Sequence, residues 1–85
     1  MEKNYVLYVD PGHAWLRIPL EELKHLGISA QISKCSYRYK EYAYLEEDCD
    51  MALFIAAMHK IGRDVQYVER HTEFEQNPIR NCDQY

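Results

Sequence analysis

Residues 44–61 read Tyr-Leu-Glu-Glu-Asp-Cys-Asp-Met-Ala-Leu-Phe-Ile-Ala-Ala-Met-His-Lys-Ile. Four carboxylates, Glu46, Glu47, Asp48 and Asp50, run directly into the most apolar part of the chain. Phe54, Ala57, Met58 and Ile61 recur at helical spacing, which predicts a helix over 50–61. A helix apolar nearly all round belongs at the centre of a core, so it is expected to be the most buried element, with Phe54 and Ile55 inside. Asp48 or Asp50 suits its N-terminus, where orphan N–H groups want an oxygen acceptor, and Gly62 suits its end. No cap requires Glu46 or Glu47. Like charges this close repel, so the pair is a candidate contact for a basic partner.

Upstream of this junction, residues 35–39 and 42–45 alternate and read as a hairpin. With Lys40 and Glu41 at its tip, Tyr39 opposes Tyr42 and Tyr37 opposes Tyr44. Four tyrosines then share one face, because side chains alternate with period two. Lys-Glu is a poor pair for a two-residue turn, so a longer loop is the competing geometry. Residues 5–9 and 14–18 read as a first hairpin around the turn signal Asp10-Pro11-Gly12. Pro19 suits the first turn of a short helix near 20–26, with Leu20, Leu23 and Leu26 as its apolar stripe and Gly27 as its stop. Residues 65–70 read as a last strand. Residues 72–85 are polar, contain Asn77-Pro78, and are expected to form an irregular tail.

The chain has 85 residues, 47% of them apolar. That length fits one domain with a small core. The predicted fold is α+β in the order ββα-ββα-β: a small antiparallel sheet packed against one buried helix and one shorter helix. Eight of the eleven aromatic residues are tyrosines. Tyrosine covers apolar surface while keeping a polar tip, which serves a small core or a contact face equally. The formal net charge of −4 argues against nonspecific nucleic-acid binding, which needs a basic stripe. No run approaches the ~20 apolar residues of a membrane span, and the first residues lack signal-peptide organisation. Three cysteines, Cys35, Cys49 and Cys82, form no spaced framework and read as free thiols in a reducing cytoplasm.

Several constellations carry chemistry. His13 and Trp15 flank a turn and offer a stacking surface for a base, a nucleotide or a partner loop. The competing reading buries Trp15 and hydrogen-bonds His13 within its own turn. Tyr37, Tyr39, Tyr42 and Tyr44 offer an aromatic contact face, or else cover helix 50–61. A Cys49–His13–Asp10 nucleophilic arrangement needs an electropositive setting, and Cys49 lies among carboxylates, so a small structural hydrophobe is the expected role. Metal ligation by His13, Cys49, Asp48 and Asp50 lacks Cys-x-x-Cys or His-x-x-x-His spacing. No cofactor is implied.

The segments Asp10 to Leu16, Leu26-Gly27-Ile28, Ile32-Ser33 with Ser36-Tyr37, and Tyr44 to Asp50 resemble a family of small proteins encoded by bacteriophages and other mobile elements. That family is marked by a turn of the type Asp-Pro-Gly-His-Gly-Trp-Leu and by Tyr-Leu-Glu-Glu-Asp-Cys-Asp. The resemblance spans residues 5 to about 60. Ala14 stands where the family has glycine, and Cys35 where it has tyrosine. The resemblance carries over no catalytic residue. It implies a cytoplasmic accessory protein, and small acidic proteins of such elements resemble inhibitors of host defence systems or host enzymes.

The functional expectation is therefore noncatalytic binding of a host or phage protein through an acidic and aromatic surface: Glu46, Glu47, His13, Tyr37, Tyr39, Tyr42 and Arg38. The alternative is a small-ligand binder that holds a nucleotide between His13, Trp15, a tyrosine and Arg38, with a homo-oligomer interface as a place for it. A small thiol or metal enzyme is the third class.

Overall fold

The computed structural model describes residues 4–71 and 82–85. The chain forms β1 (Tyr5–Val9), β2 (Ala14–Pro19), α1 (Leu20–His25), a 3-10 turn at Ser29–Gln31, β3 (Tyr37–Tyr39), β4 (Tyr42–Glu46), α2 (Met51–Lys60), β5 (Tyr67–His71) and β6 (Asp83–Gln84). The six strands make one sheet in the order β5-β1-β2-β4-β3-β6. The fold class is α+β. The sheet is mixed rather than wholly antiparallel, because β5 lies parallel to β1. A hairpin cannot produce that pairing: α2 carries the chain from β4 across the sheet before β5 begins.

The two hairpins follow their local chemistry. In the first, Val9 pairs with Ala14. Its loop closes on the Asp10 carboxylate, which accepts from the backbone N–H groups of Gly12 and His13, both at 2.9 Å. In the second, Tyr39 pairs with Tyr42 and Tyr37 with Tyr44, so the loop is the two residues Lys40 and Glu41. Lys40 takes a left-handed backbone, φ 55°, to close it. A residue with a Cβ costs roughly 1–2 kcal/mol there, which is why a longer loop was the competing geometry. Pro19 sits one position earlier than expected. It ends β2 in an extended conformation, φ −57° and ψ 133°, and its successor opens α1.

One face of the sheet carries the core. Tyr5 and Leu7 of β1, Ala14, Leu16 and Ile18 of β2, and Ala43 and Leu45 of β4 pack against Leu23, Met51, Phe54 and Met58 from the helices. Both helices end on a glycine with positive φ, 74° at Gly27 and 75° at Gly62. There Ile28 N–H bonds Leu23 C=O at 3.1 Å and Arg63 N–H bonds Met58 C=O at 3.0 Å, satisfying carbonyls the helices leave open.

Helix α2 is not the central element. Only Met51, Phe54 and Met58 are buried, while Ala52 and Ala56 are exposed and Ile55 is half-buried. The most buried element is β2, between β1 and β4. A helix lying on one face of a sheet has an outer side whatever its composition, and here that side is filled with small or half-covered apolar residues. No helix among the described residues is long and apolar enough to cross a membrane.

The end of the chain is built into the fold. Asp83 and Gln84 pair with β3. The Tyr85 hydroxyl donates to Ser29 C=O at 2.8 Å and Tyr85 N–H donates to Ser36 C=O at 2.9 Å. Of the irregular tail expected over 72–85, Asp83–Gln84 forms an edge strand, and residues 72–81 lie outside the described residues.

Candidate functional site

Alternation along the strands sends a second set of side chains to the face opposite the core. These are Tyr8 from β1, Trp15 and Arg17 from β2, Tyr37 and Tyr39 from β3, and Tyr42, Tyr44 and Glu46 from β4. Their rings meet in two groups. Tyr8 meets Tyr44 at a centroid distance of 6.0 Å, Trp15 meets Tyr37 at 6.2 Å, and His13 meets Trp15 at 5.6 Å. The four hairpin tyrosines share this face and do not cover α2, because Ala43 and Leu45 between them are the residues turned to the core. Burial raises the Tyr44 phenol above its ordinary pKa of 10.0, and the neighbouring Tyr8 adds to it, so Tyr44 stays a neutral donor and acceptor.

Two hollows lie on the aromatic face. The first, about 300 Å³, is lined by His13, Trp15, Cys35, Tyr37, Glu46, Asp48 and Cys49. The second, about 280 Å³, is lined by Arg17 and the hairpin tip from Tyr39 to Tyr42, with Tyr44. His13, Tyr37 and Glu46 therefore come together, while Tyr39 and Tyr42 belong to the second hollow. Arg38 joins neither. It pairs with Ala43, so its Cβ leaves the sheet on the helix side. The sequence placed Arg38 beside the aromatics by proximity along the chain, and the two-residue period separates them. Arg17 takes that place from the neighbouring strand; its alternation with Leu16 and Ile18 was the available signal.

The acidic junction divides into structural and exposed members. Asp50 occupies the N-cap position of α2 but makes no side-chain cap. Its carboxylate instead accepts from Ser33 N–H at 3.0 Å, from the Ser33 hydroxyl at 2.8 Å and from the Ser36 hydroxyl. It thus staples the turn at 33–36 to the start of α2. Asp48 is exposed and makes no cap either. Ser36 in that turn is buried and Ser33 half-buried, and their donors hold the Asp50 carboxylate in place of the helix start.

Glu46 is only 6% exposed. Its Oε2 accepts from Asp48 N–H at 2.9 Å, and its Oε1 lies 3.3 Å from His13 Nδ1. So Glu46 is spent within the fold, and His13 bonds across to β4 rather than within its own turn. Glu47 is exposed. Glu46→Gln is expected to lower stability by about 1–2 kcal/mol, the scale of a lost charge-assisted bond at a buried site, and Glu47→Gln to leave the melting curve unchanged. Equal melting curves for the two variants in urea or heat would contradict this division.

Cys35 and Cys49 are exposed free thiols on the two stapled turns. The neighbouring Cys35 thiol, with desolvation and the nearby Glu46 carboxylate, pushes the Cys49 thiol up to about 12. A thiol is protonated below its pKa, so Cys49 is overwhelmingly the unreactive thiol at about pH 8. Cys49 is expected to react with iodoacetamide far more slowly than a free cysteine, followed by mass spectrometry. Cys49→Ala is expected to fold and to keep the parent's binding. Alkylation at the free-cysteine rate would restore a nucleophilic role. Trp15 is 2% exposed but belongs to the aromatic face, outside the main core cluster. No group of three or more His, Cys, Asp and Glu side chains suited to a metal ion gathers among the described residues. Comparison of the chain with protein-family models, with curated proteins and with solved structures finds no match to any of them.

Proposed function

We propose that this is a noncatalytic accessory protein that binds a basic surface of a host or phage protein through the hollow at His13, Tyr37 and Glu46. The observation that carries the reading is the make-up of that hollow. Tyr37 and the nearly buried Trp15 line it together with the exposed Asp48 carboxylate and with Glu46, whose charge is shared with His13 and Asp48 N–H, and Glu47 is exposed next in the chain. Aromatic faces and carboxylates together recognise an inserted Lys or Arg side chain, through cation–π attraction and charge-assisted hydrogen bonds. The resemblance to phage and mobile-element proteins supplies the setting, a bacterial cytoplasm, and the role, inhibition of a host defence system or host enzyme.

The test uses capture from a bacterial lysate by the full chain, followed by direct titration of the captured protein. A double variant, Glu47→Gln with Asp48→Asn, removes exposed charge without touching the buried network. It is expected to melt with the parent and to bind about tenfold more weakly at low salt. The difference should shrink as salt shortens the Debye length to about 8 Å. Unchanged affinity at both salt concentrations removes the acidic hollow from the mechanism.

A further inference from the structure

The second hollow has the opposite character. Arg17 lies at the centre of the sheet, half-buried between rings. Its guanidinium carbon is 4.6 Å from the Tyr42 ring centroid and 6.0 Å from that of Tyr8. One terminal nitrogen donates to the Tyr8 hydroxyl at a long 3.3 Å. The Nε atom is buried and has no hydrogen-bond partner. The ion pairs among the described residues all involve histidines, so no carboxylate there neutralises Arg17.

A guanidinium presents five N–H donors in a planar fork matched to two oxygens of a phosphate or carboxylate. Placing such a group under tyrosines with its buried Nε–H unpaired is unfavourable unless another interaction offsets it, and its other terminal N–H groups remain open to a ligand in the hollow. Cation–π contact with Tyr42 compensates in part and holds the fork rigid, which lowers the cost of ordering it for a ligand.

The rest of the hollow narrows the choice of anion. Lys40 brings a second cation, its Nζ 5.3 Å from the Tyr39 ring centroid. Tyr39 is 52% exposed, so beyond the Lys40 contact its ring remains open to solvent at the rim. Glu41 is the single carboxylate of the lining. It would repel a bare anion at close range but accepts hydrogen bonds from vicinal hydroxyls, as acidic residues do with ribose. About 280 Å³ lies just below the roughly 300–1,000 Å³ of ligand pockets, a size that suits a ligand no larger than a single nucleotide.

We infer that the hollow between Arg17, Lys40, Tyr39 and Tyr42 binds a mononucleotide, the phosphate on the Arg17 fork and the base on the Tyr39 ring. The site shares no lining residue with the acidic hollow, so it stands or falls separately from the protein-binding reading.

The experiment is a titration of the ¹⁵N-labelled full chain with AMP, followed by two-dimensional NMR, with adenosine and inorganic phosphate as separate arms. AMP is expected to shift the amides of residue 17 and of 39–44, and to bind at least about tenfold more tightly than either fragment, because phosphate and base contacts add. Binding should weaken as salt rises. Arg17→Gln should reduce AMP affinity about tenfold or more, near 1.4 kcal/mol. Arg17→Lys keeps the charge but not the fork, and should lose several-fold. Lys40→Asn tolerates the left-handed backbone, lies at an exposed tip, and should also lose several-fold; it keeps the test decisive if the Arg17 variants unfold. No AMP shift at millimolar concentration overturns the proposal. So does adenosine binding as tightly as AMP, or equal AMP affinity in the parent and in folded Lys40→Asn. Loss of lysate-partner capture in the acidic-hollow variant, with AMP binding intact, shows that the two sites fail independently.

Discussion

Phe54→Ala is expected to lower the stability of the domain by about 3–5 kcal/mol, the range for emptying a large aromatic site in a core. Phe54 is fully buried where α2 meets the sheet, and its ring meets that of Tyr5 edge-on at 5.4 Å and 80°. Tyr5 in turn donates from its hydroxyl to Glu22 Oε1 at 2.6 Å, which ties α1 to β1. The truncation therefore opens a void that touches both helices and the first strand. For a domain of this size 1 kcal/mol corresponds to roughly 4–8 °C in melting temperature, so a fall beyond 12 °C is expected. Ile55→Ala, one position along and half-buried, should cost clearly less. A Phe54→Ala protein melting within a couple of degrees of the parent would refute the core assignment.

Asp50→Ala is expected to be the second most damaging change, at about 2–4 kcal/mol, because it strands one fully buried donor and two half-buried ones at once. Ser33 N–H, the Ser33 hydroxyl and the Ser36 hydroxyl all lose their acceptor. Ser36 has no solvent access, and its oxygen also accepts from Glu46 N–H at 3.0 Å, so the loss spreads into β4. Asp50→Ser separates stapling from capping. Serine keeps a capping oxygen at the start of α2 but is too short to serve the 33–36 turn. If stapling is the role, Asp50→Ser should be nearly as unstable as Asp50→Ala in a urea melt. A serine variant as stable as the parent would return Asp50 to the cap. Asp48→Ala, exposed and outside the network, should melt with the parent.

Both predictions concern residues whose importance the sequence signalled for partly different reasons. Phe54 stood out by apolar spacing, and it is buried as spacing required. Ile55 stood out equally, and is half-buried, because a helix on a sheet has one covered side and composition alone does not choose it. Asp50 stood out as a cap and serves as a staple. The pairing of Tyr37 with Tyr44 and of Tyr39 with Tyr42 followed from alternation and loop length. Which face the tyrosines took did not, since either face of a short hairpin can be apolar enough to bury. The small Ala43 and branched Leu45 meet the helix, and the larger rings are left to the other side.

The amino-acid sequence by itself determined what depends on neighbours within a few positions. It set the first hairpin around Asp10-Pro11-Gly12, the glycine stops of both helices, and the α+β class. Those features rest on backbone preferences and on periods of two and 3.6 residues, which act locally. The tertiary structure decided what depends on segments far apart in the chain. It paired β5 parallel to β1, brought Asp83 and Gln84 to the edge of β3, turned Asp50 to Ser33 and Ser36, and buried Glu46 against His13. It also put Arg17, and not Arg38, among the tyrosines. Each of these is a competition among partners for a buried donor, acceptor or sheet edge. Such a competition is settled only when the whole chain has closed around the core, because the cost of an unmet polar group exists only once water has been excluded.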